Sequence, residues 1–264
     1  MSLTWIPNSF TLGNLFFGFV AMLAALRGRF DLASLFIFAC MLLDMFDGRI
    51  SRAIKGENPI GKELDSLADM LSFGVAPGVI FYAAFLGNNP IYSDIAPLVT
   101  GGDLLQLTEY NSTHILFGAL AFLFPFAAAL RLARFNLGGS DAAYSGCPST
   151  TAGGLVVVLT CFSKIPHMFF MEDYNFEIPS VLLIILFVCI AFLMLVHIPF
   201  SKPQKSLFRK SSLSQPLFLV YNLMIIAALI LFFKHFLLLV GIMYVIWSLV
   251  RGIQSAKASI QARK

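Results

Sequence analysis

Long apolar stretches alternate with short polar ones along almost the entire chain. Eight apolar runs stand out, at 8–26, 30–50, 62–86, 113–134, 151–170, 180–198, 217–233 and 236–250. A helix that crosses a bilayer needs about 20 such residues. In hydrocarbon every backbone N–H and C=O must be satisfied within the chain, so runs of this kind predict helices. The last two are short, with little more than Lys234 and His235 between them, and predict a tight hairpin. The expected fold is an all-α, polytopic, integral membrane bundle: a six-helix core followed by two C-terminal transmembrane helices. Residues 1–200 form the core in this reading, and 201–264 hold the basic linker "SKPQKSLFRKSS" and the two-helix addition.

Composition strengthens the membrane reading. Hydrophobic residues make up 58% of the chain and charged ones only 12%, with 28 Phe, whereas soluble domains carry nearer a quarter charged. The four cysteines, Cys40, Cys147, Cys161 and Cys189, form no Cys-x-x-Cys pair. They read as small packing residues plus one loop thiol rather than as a disulfide or zinc framework. No Lys or Arg precedes the first apolar run, so it is expected to be a structural helix rather than a cleaved leader. The net charge of +4 is modest, and no nucleic-acid partner is expected.

Where the charge falls is more informative than its sum. With a cytoplasmic N-terminus, fourteen of the 18 Lys and Arg fall on the cytoplasmic side, and only Arg27, Arg29, Lys164 and Lys234 fall opposite. This bias is the positive-inside pattern. It predicts that the N-terminus and the polar mouth between the second and third runs face the cytoplasm.

That mouth reads "DMFDGRISRAIKGENPIGKELDSLAD", from Asp44 to Asp69. Asp44 and Asp47, three apart, share a face near the end of the second helix, and Asp65 and Asp69, four apart, share one near the start of the third. Asp44 lies roughly 21 Å along its helix from Phe30 at 1.5 Å per residue, and the second pair lies within about two turns of its helix start. An antiparallel hairpin therefore brings all four carboxylates to one depth. Like charges crowded in a partly desolvated pocket repel one another, and hard divalent cations such as Mg²⁺ or Mn²⁺ resolve the conflict through all-oxygen ligation. Gly48 and Gly61 permit close approach of a ligand, and Arg49 and Arg52 offer planar donors to phosphate oxygens. The plainer alternative is a helix mouth whose acids pair with neighbouring Arg and Lys. Acids within membrane helices are costly, however, and usually functional.

The string Asp44-x2-Asp47-Gly48-x2-Ser51-Arg52-x8-Gly61-x3-Asp65-x3-Asp69 resembles the signature of the CDP-alcohol phosphotransferase family, D-x2-D-G-x2-A-R-x8-G-x3-D-x3-D. Every spacing fits, with Ser51 standing in place of alanine. The resemblance implies attack by an alcohol hydroxyl on a CDP-linked lipid with departure of CMP, assisted by two divalent cations, Mg²⁺ or Mn²⁺. It implies Asp44, Asp47 and Asp65 as metal ligands and Asp69 as general base that also reaches the metal site. Asp44, Gly48, Ser51, Arg52 and Gly61 correspond to positions lining the CDP-lipid. The opening "PNSFTLGN" is similar to the start of the first helix in many members. This adds Asn8 and Thr11 as nucleotide contacts, although Pro7 and Asn8 read equally well as a helix start and an interfacial polar residue.

Beyond the shared motif, "DSLADMLSFGVAPG", "LRLARFN" and "GCPSTTAGG" resemble the bacterial and archaeal phosphatidylserine synthases over roughly residues 5–165. The run "STTAGG" departs from the Pro-Ala-Ala-Ala-Gly type of that group. The resemblance implies CDP-diacylglycerol and L-serine as substrates, a homodimer, and a bacterial or archaeal cytoplasmic membrane. Serine brings a carboxylate, and Arg binds carboxylates well. Arg131 or Arg134, with Asn136 and the 146–151 loop, is the expected acceptor pocket, and the alternative is that the arginines anchor at lipid headgroups. Glycerol 3-phosphate, inositol phosphate and choline remain alternative acceptors. Pro77, Gly74 and Gly78 predict either a kink that opens the site to the bilayer or close packing. A transporter is the rival of another class. Its acids would sit near the midplane, often in paired repeats, whereas these cluster at one edge in one hairpin.

Overall fold

The computed structural model describes residues 5–54, 59–86, 112–137, 146–161, 178–196, 241–243, 245–246 and 250. Seven α-helices and one π-helical segment make up the elements among them: α1 (Trp5–Leu26), α2 (Phe30–Ile54), α3 (Pro59–Asp69), the π segment (Met70–Val75), α4 (Ala76–Leu86), α5 (Ser112–Leu137), α6 (Ser149–Thr160) and α7 (Ser180–Leu195). The protein is all-α. Asn8–Leu26, Ile60–Leu86 and His114–Leu137 are long and apolar enough to cross a membrane, and α6 and α7 are shorter apolar helices. The expected run 217–233 lies outside the described residues, as does most of 236–250, of which the described positions are helical.

α1 shows how a membrane helix is inverted at a site. One face carries Leu12, Phe16, Phe19, Leu23 and Leu26, all exposed and spaced for a helical stripe that suits lipid. The opposite face buries Asn8, Thr11, Asn14, Gly18, Ala21 and Ala25. It is therefore polar at one end and small at the other. The helix stops where Gly28 takes φ 73°. Arg29 N–H bonds back to the Ala24 carbonyl and Gly28 N–H to that of Ala25, both at 2.9 Å, which satisfies two carbonyls that would otherwise be orphaned. This turn sets α2 antiparallel to α1.

The third span is not one regular helix. Its backbone widens over Met70–Val75, where Ala76 N–H reaches back five residues to the Leu71 carbonyl. A wide turn of this kind adds a residue to the helical count and is frequent at functional sites. Here it begins directly after Asp69. Beyond it, α4 is buried on nearly every side, the pattern of a central helix. Phe81 stacks on Phe187 of α7 at 3.9 Å between ring centroids, and Phe124 of α5 closes on the same ring at 5.3 Å.

Two prolines lie at close helix contacts. Pro77 has no N–H to give to the Phe73 carbonyl four residues earlier, and Pro125 has none for the Ala121 carbonyl. Each carbonyl faces a glycine on a neighbouring helix. A methyl group at Gly153 would lie 2.7 Å from Phe73 O, and one at Gly78 would lie 2.8 Å from Ala121 O. Small residues that admit a neighbouring backbone are the usual means of joining membrane helices. Of the two expectations for Pro77 and Gly78, close packing is what these contacts display.

Two ends differ from expectation. The run 151–170 predicts one helix, but α6 starts at Ser149 and ends at Thr160, where Cys161 leaves helical geometry. Residues 162–170 lie outside the described part. The run 180–198 ends at Leu195, because Val196 turns extended at ψ 138°.

Candidate metal and substrate site

Three of the four aspartates of the motif meet. One carboxylate oxygen from each of Asp44, Asp47 and Asp65 falls within 4.8 Å of the other two. Asp69 lies one turn beyond Asp65, within electrostatic reach of Asp44, Asp65, Asp47 and the Arg131 guanidinium. The i, i+3 and i, i+4 spacings thus do what helical geometry requires, and the short α2–α3 connection places the two pairs opposite each other.

Hydroxyls from other helices hold two of the acids. Thr11 Oγ1 of α1 donates to Asp47 Oδ2 at 3.2 Å, and Thr150 Oγ1 of α6 donates to Asp44 Oδ2 at 3.2 Å. Asp65 Oδ1 and Asp69 Oδ1 are buried and have no hydrogen-bond partner among the described residues. A buried carboxylate oxygen without a partner is expensive. An ion pair, Arg29–Asp31, sits instead at the other end of α2. The arrangement therefore fits a divalent cation: all-oxygen donors of one charge converge, and two of their oxygens are orphaned.

The neighbouring sequence-predicted residues divide into three sets. Asn8 and Thr11 are buried on the inner face of α1, and Thr11 touches the acids directly. Gly48 and Gly61 lie in α2 and α3, flanking the connection. The side chains of Ser51 and Arg52 lie outside the described part of the structure.

Arg131 and Arg134 part company, although their spacing puts them on neighbouring positions of α5. Arg131 Nη1 donates to Ser149 Oγ at 2.9 Å, beside the acids. Arg134 Nη1 donates to the Leu195 carbonyl at 3.0 Å on the exposed side, where it satisfies the end of α7. Cys147 N–H meets the adjacent Leu193 carbonyl at 3.0 Å. Asn136 Nδ2 donates to Ser66 Oγ at 3.2 Å, which ties the end of α5 to the residue following Asp65.

Thr150 belongs to the 146–151 segment expected at the acceptor pocket, and it reaches Asp44 from 106 positions away. Two further contributors escape motif reading. Ser72 Oγ and Cys40 Sγ both donate to the Asn14 backbone carbonyl, at 3.0 and 3.3 Å. They join α1, α2 and the π segment just beneath the acids. The Asn14 side-chain amide is buried, with neither atom partnered among the described residues. An Asn in an apolar run, one turn beyond Thr11, was the signal that could have marked this floor.

The chain is similar to several proteins named CDP-diacylglycerol–serine O-phosphatidyltransferase. That of Bacillus subtilis is 32% identical over 159 residues, 60% of this chain and 76% of that protein. That of Mycobacterium leprae is 33% identical over 137 residues, covering 52% of this chain and 37% of the relative. That of Helicobacter pylori is 31% identical over 164 residues, 61% and 59% respectively. The match thus spans three quarters of one relative and less than two thirds of the other two. The model of the CDP-alcohol phosphatidyltransferase family matches residues 4–253, which takes in every residue of the acid cluster, so the chain belongs to the CDP-alcohol phosphatidyltransferase family.

Proposed function

We propose that this protein transfers the phosphatidyl group of CDP-diacylglycerol to the hydroxyl of L-serine, giving phosphatidylserine and CMP. One observation carries the chemistry: carboxylate oxygens of Asp44, Asp47 and Asp65 converge, and among the described residues the buried Asp65 Oδ1 and Asp69 Oδ1 have no hydrogen-bond partner. Asp44, Asp47 and Asp65 would hold two divalent cations, Mg²⁺ or Mn²⁺, with Asp69 at their edge. When bound, such ions neutralise charge on the phosphate oxygens of the donor and the departing CMP. Asp69 takes the proton of the serine hydroxyl. The serine oxygen gains a bond to the phosphatidyl phosphorus, and the phosphorus–oxygen bond to CMP breaks with its electron pair leaving on CMP. Asn8, Thr11, Gly48, Ser51, Arg52 and Gly61 line the nucleotide and pyrophosphate. Arg131 receives the serine carboxylate, and Asn136 holds α5 against α3 beside it.

The serine assignment draws on the names of the relatives and on the Arg131 guanidinium beside the acids. The excess of basic residues around the site end supports a cytoplasmic active site and N-terminus. Residues 1–200 are the catalytic core, since every site residue lies there, and 201–264 are an addition to it. A homodimer in the bilayer is the proposed assembly.

The test is CMP release by purified protein in detergent, given CDP-diacylglycerol, L-serine and Mn²⁺ or Mg²⁺. Release is expected with serine and is lost with EDTA, and added cation restores it. Release only with glycerol 3-phosphate, inositol phosphate or choline would keep the chemistry and replace the acceptor. No release with any acceptor would remove the enzyme reading. Cross-linking in the membrane tests the dimer.

A further inference from the structure

The run "STTAGG" departs from the pattern of the resembled group, and the structure gives two of its hydroxyls partners in the site. Ser149 and Thr150 form the first turn of α6. Ser149 is buried and its Oγ accepts from Arg131 at 2.9 Å. Thr150 donates to Asp44 at 3.2 Å. Neighbouring residues on one turn thus hold a cation-binding acid with one hydroxyl and the acceptor-side guanidinium with the other.

That turn is itself immobilised from three directions. Gly146, at φ 87°, leaves no room for a side chain against the Met194 carbonyl. Cys147 N–H bonds the Leu193 carbonyl, which pins the entry to α6 on the end of α7. One turn into the helix, Gly153 lies on the π segment and Gly154 on Met41; methyl groups there would fall 2.7 Å from Phe73 O and 2.8 Å from Met41 Sδ. Gly154 is four residues beyond Thr150, and Met41 is three before Asp44. The two contacts therefore fall one turn apart on antiparallel helices. The register that seats Gly154 on Met41 also delivers the Thr150 hydroxyl to Asp44. An acid at the first turn of a helix is also favoured by the helix dipole, and Pro148 at the N-cap supplies no side-chain cap of its own.

We infer that the first turn of α6 is a positioning element: Thr150 aims the Asp44 carboxylate at the cation site and Ser149 aims Arg131 at the acceptor, so one rigid turn sets the separation of the two. The inference rests on the phosphatidyltransferase reading and deepens it. A carboxylate oxygen has lone pairs for a hydroxyl and a cation together. Partners that orient metal ligands typically contribute about 10- to 100-fold to affinity or activity.

The experiment uses full-length protein in detergent and compares Thr150→Ala, Thr150→Val, Thr150→Ser and Ser149→Ala with the parent. Mn²⁺ binding is titrated by electron paramagnetic resonance without substrates, and serine KM is measured separately. Thr150→Ala and the near-isosteric Thr150→Val are expected to weaken Mn²⁺ binding about 10-fold or more with serine KM close to the parent value. Thr150→Ser, which keeps the hydroxyl, restores binding. Ser149→Ala is expected to raise serine KM about 10-fold and to leave Mn²⁺ binding unchanged. Parent-like Mn²⁺ binding in Thr150→Val, or a Thr150→Ser protein as weak as Thr150→Ala, overturns the inference while the functional reading stands. A parent protein that binds no Mn²⁺ overturns both.

Discussion

α2 carries acids at both ends, and the two ends treat them in opposite ways. Asp31, in its first turn, meets Arg29 through two hydrogen bonds at 3.1 and 2.9 Å in an exposed pair. Asp44 and Asp47 lie about 20 Å further along at 1.5 Å per residue. There they converge with Asp65, one turn before Asp69, and the Arg131 guanidinium that acts on Asp69 is itself bonded to Ser149. One end is closed by its own sequence neighbours. The other leaves negative charge concentrated and buried oxygens without partners. A chain that needed only a soluble helix mouth would repeat the first solution. The contrast marks the second end as built for something brought from outside.

The sharpest way to break the contrast is to remove charge at the site end. Asp47→Asn or Asp65→Asn keeps size and helical fit but deletes a cation-binding oxygen. CMP release is expected to fall by about 10²- to 10³-fold or more, the scale of losing a charge-stabilising group in a transfer reaction. The unfolding midpoint in detergent should hold or rise, because a buried repulsion is relieved. Activity within tenfold of the parent in both variants would mean the cluster is not the reaction centre.

Packing offers a second route to the same end. Gly153→Ala forces a methyl toward Phe73 backbone atoms at 2.7 and 2.9 Å, which cannot rotate away. Overpacking of this kind costs about 1–3 kcal/mol. It should also lift α6 from the π segment and draw Thr150 from Asp44, so activity is expected to fall with stability. Gly118, with nothing within 4 Å of the same methyl, is the control. Gly118→Ala should be neutral or stabilise by up to about 1 kcal/mol. Equal melting shifts for the two would contradict the close approach at Gly153.

A third substitution tests the far end alone. Tyr82 shares a 2.7 Å hydrogen bond with His114 where α4 and α5 meet. Tyr82→Phe is expected to lower stability by about 0.5–1.5 kcal/mol and leave CMP release unchanged. A loss of activity would mean that the two ends are coupled.

How much of this was legible beforehand depends on the distance over which each feature acts. The acid quartet is local: two pairs at helical spacing on adjacent helices, so spacing alone implies convergence, and Asp44, Asp47 and Asp65 do converge. Thr150 is not local: the 146–151 segment was expected beside the arginines, but its spacing says nothing of a contact with Asp44 of α2. The π segment is invisible to apolar periodicity, because one added residue in a helix buried all round alters no pattern. Arg131 and Arg134 looked equivalent at three-residue spacing. Their long side chains let the partner decide, and one found a hydroxyl in the site while the other found the carbonyl end of α7.

The smallest effect is expected at Asp31, and it is the most discriminating. Asp31 and Arg29 sit at 36% and 60% side-chain exposure. Water already solvates both charges there, and exposed pairs contribute little once side-chain entropy is counted. Asp31→Asn should therefore leave the melting midpoint unmoved and CMP release within about twofold of the parent. The same change of carboxylate to amide, on the same helix, is thus predicted to be silent at one end and severe at the other. Residue type is constant between the two, so the difference isolates environment: solvent and a paired guanidinium against burial among like charges. If Asp31→Asn cost as much activity as Asp47→Asn, charge on α2 would matter wherever it lies, and the distinction between its two ends would dissolve.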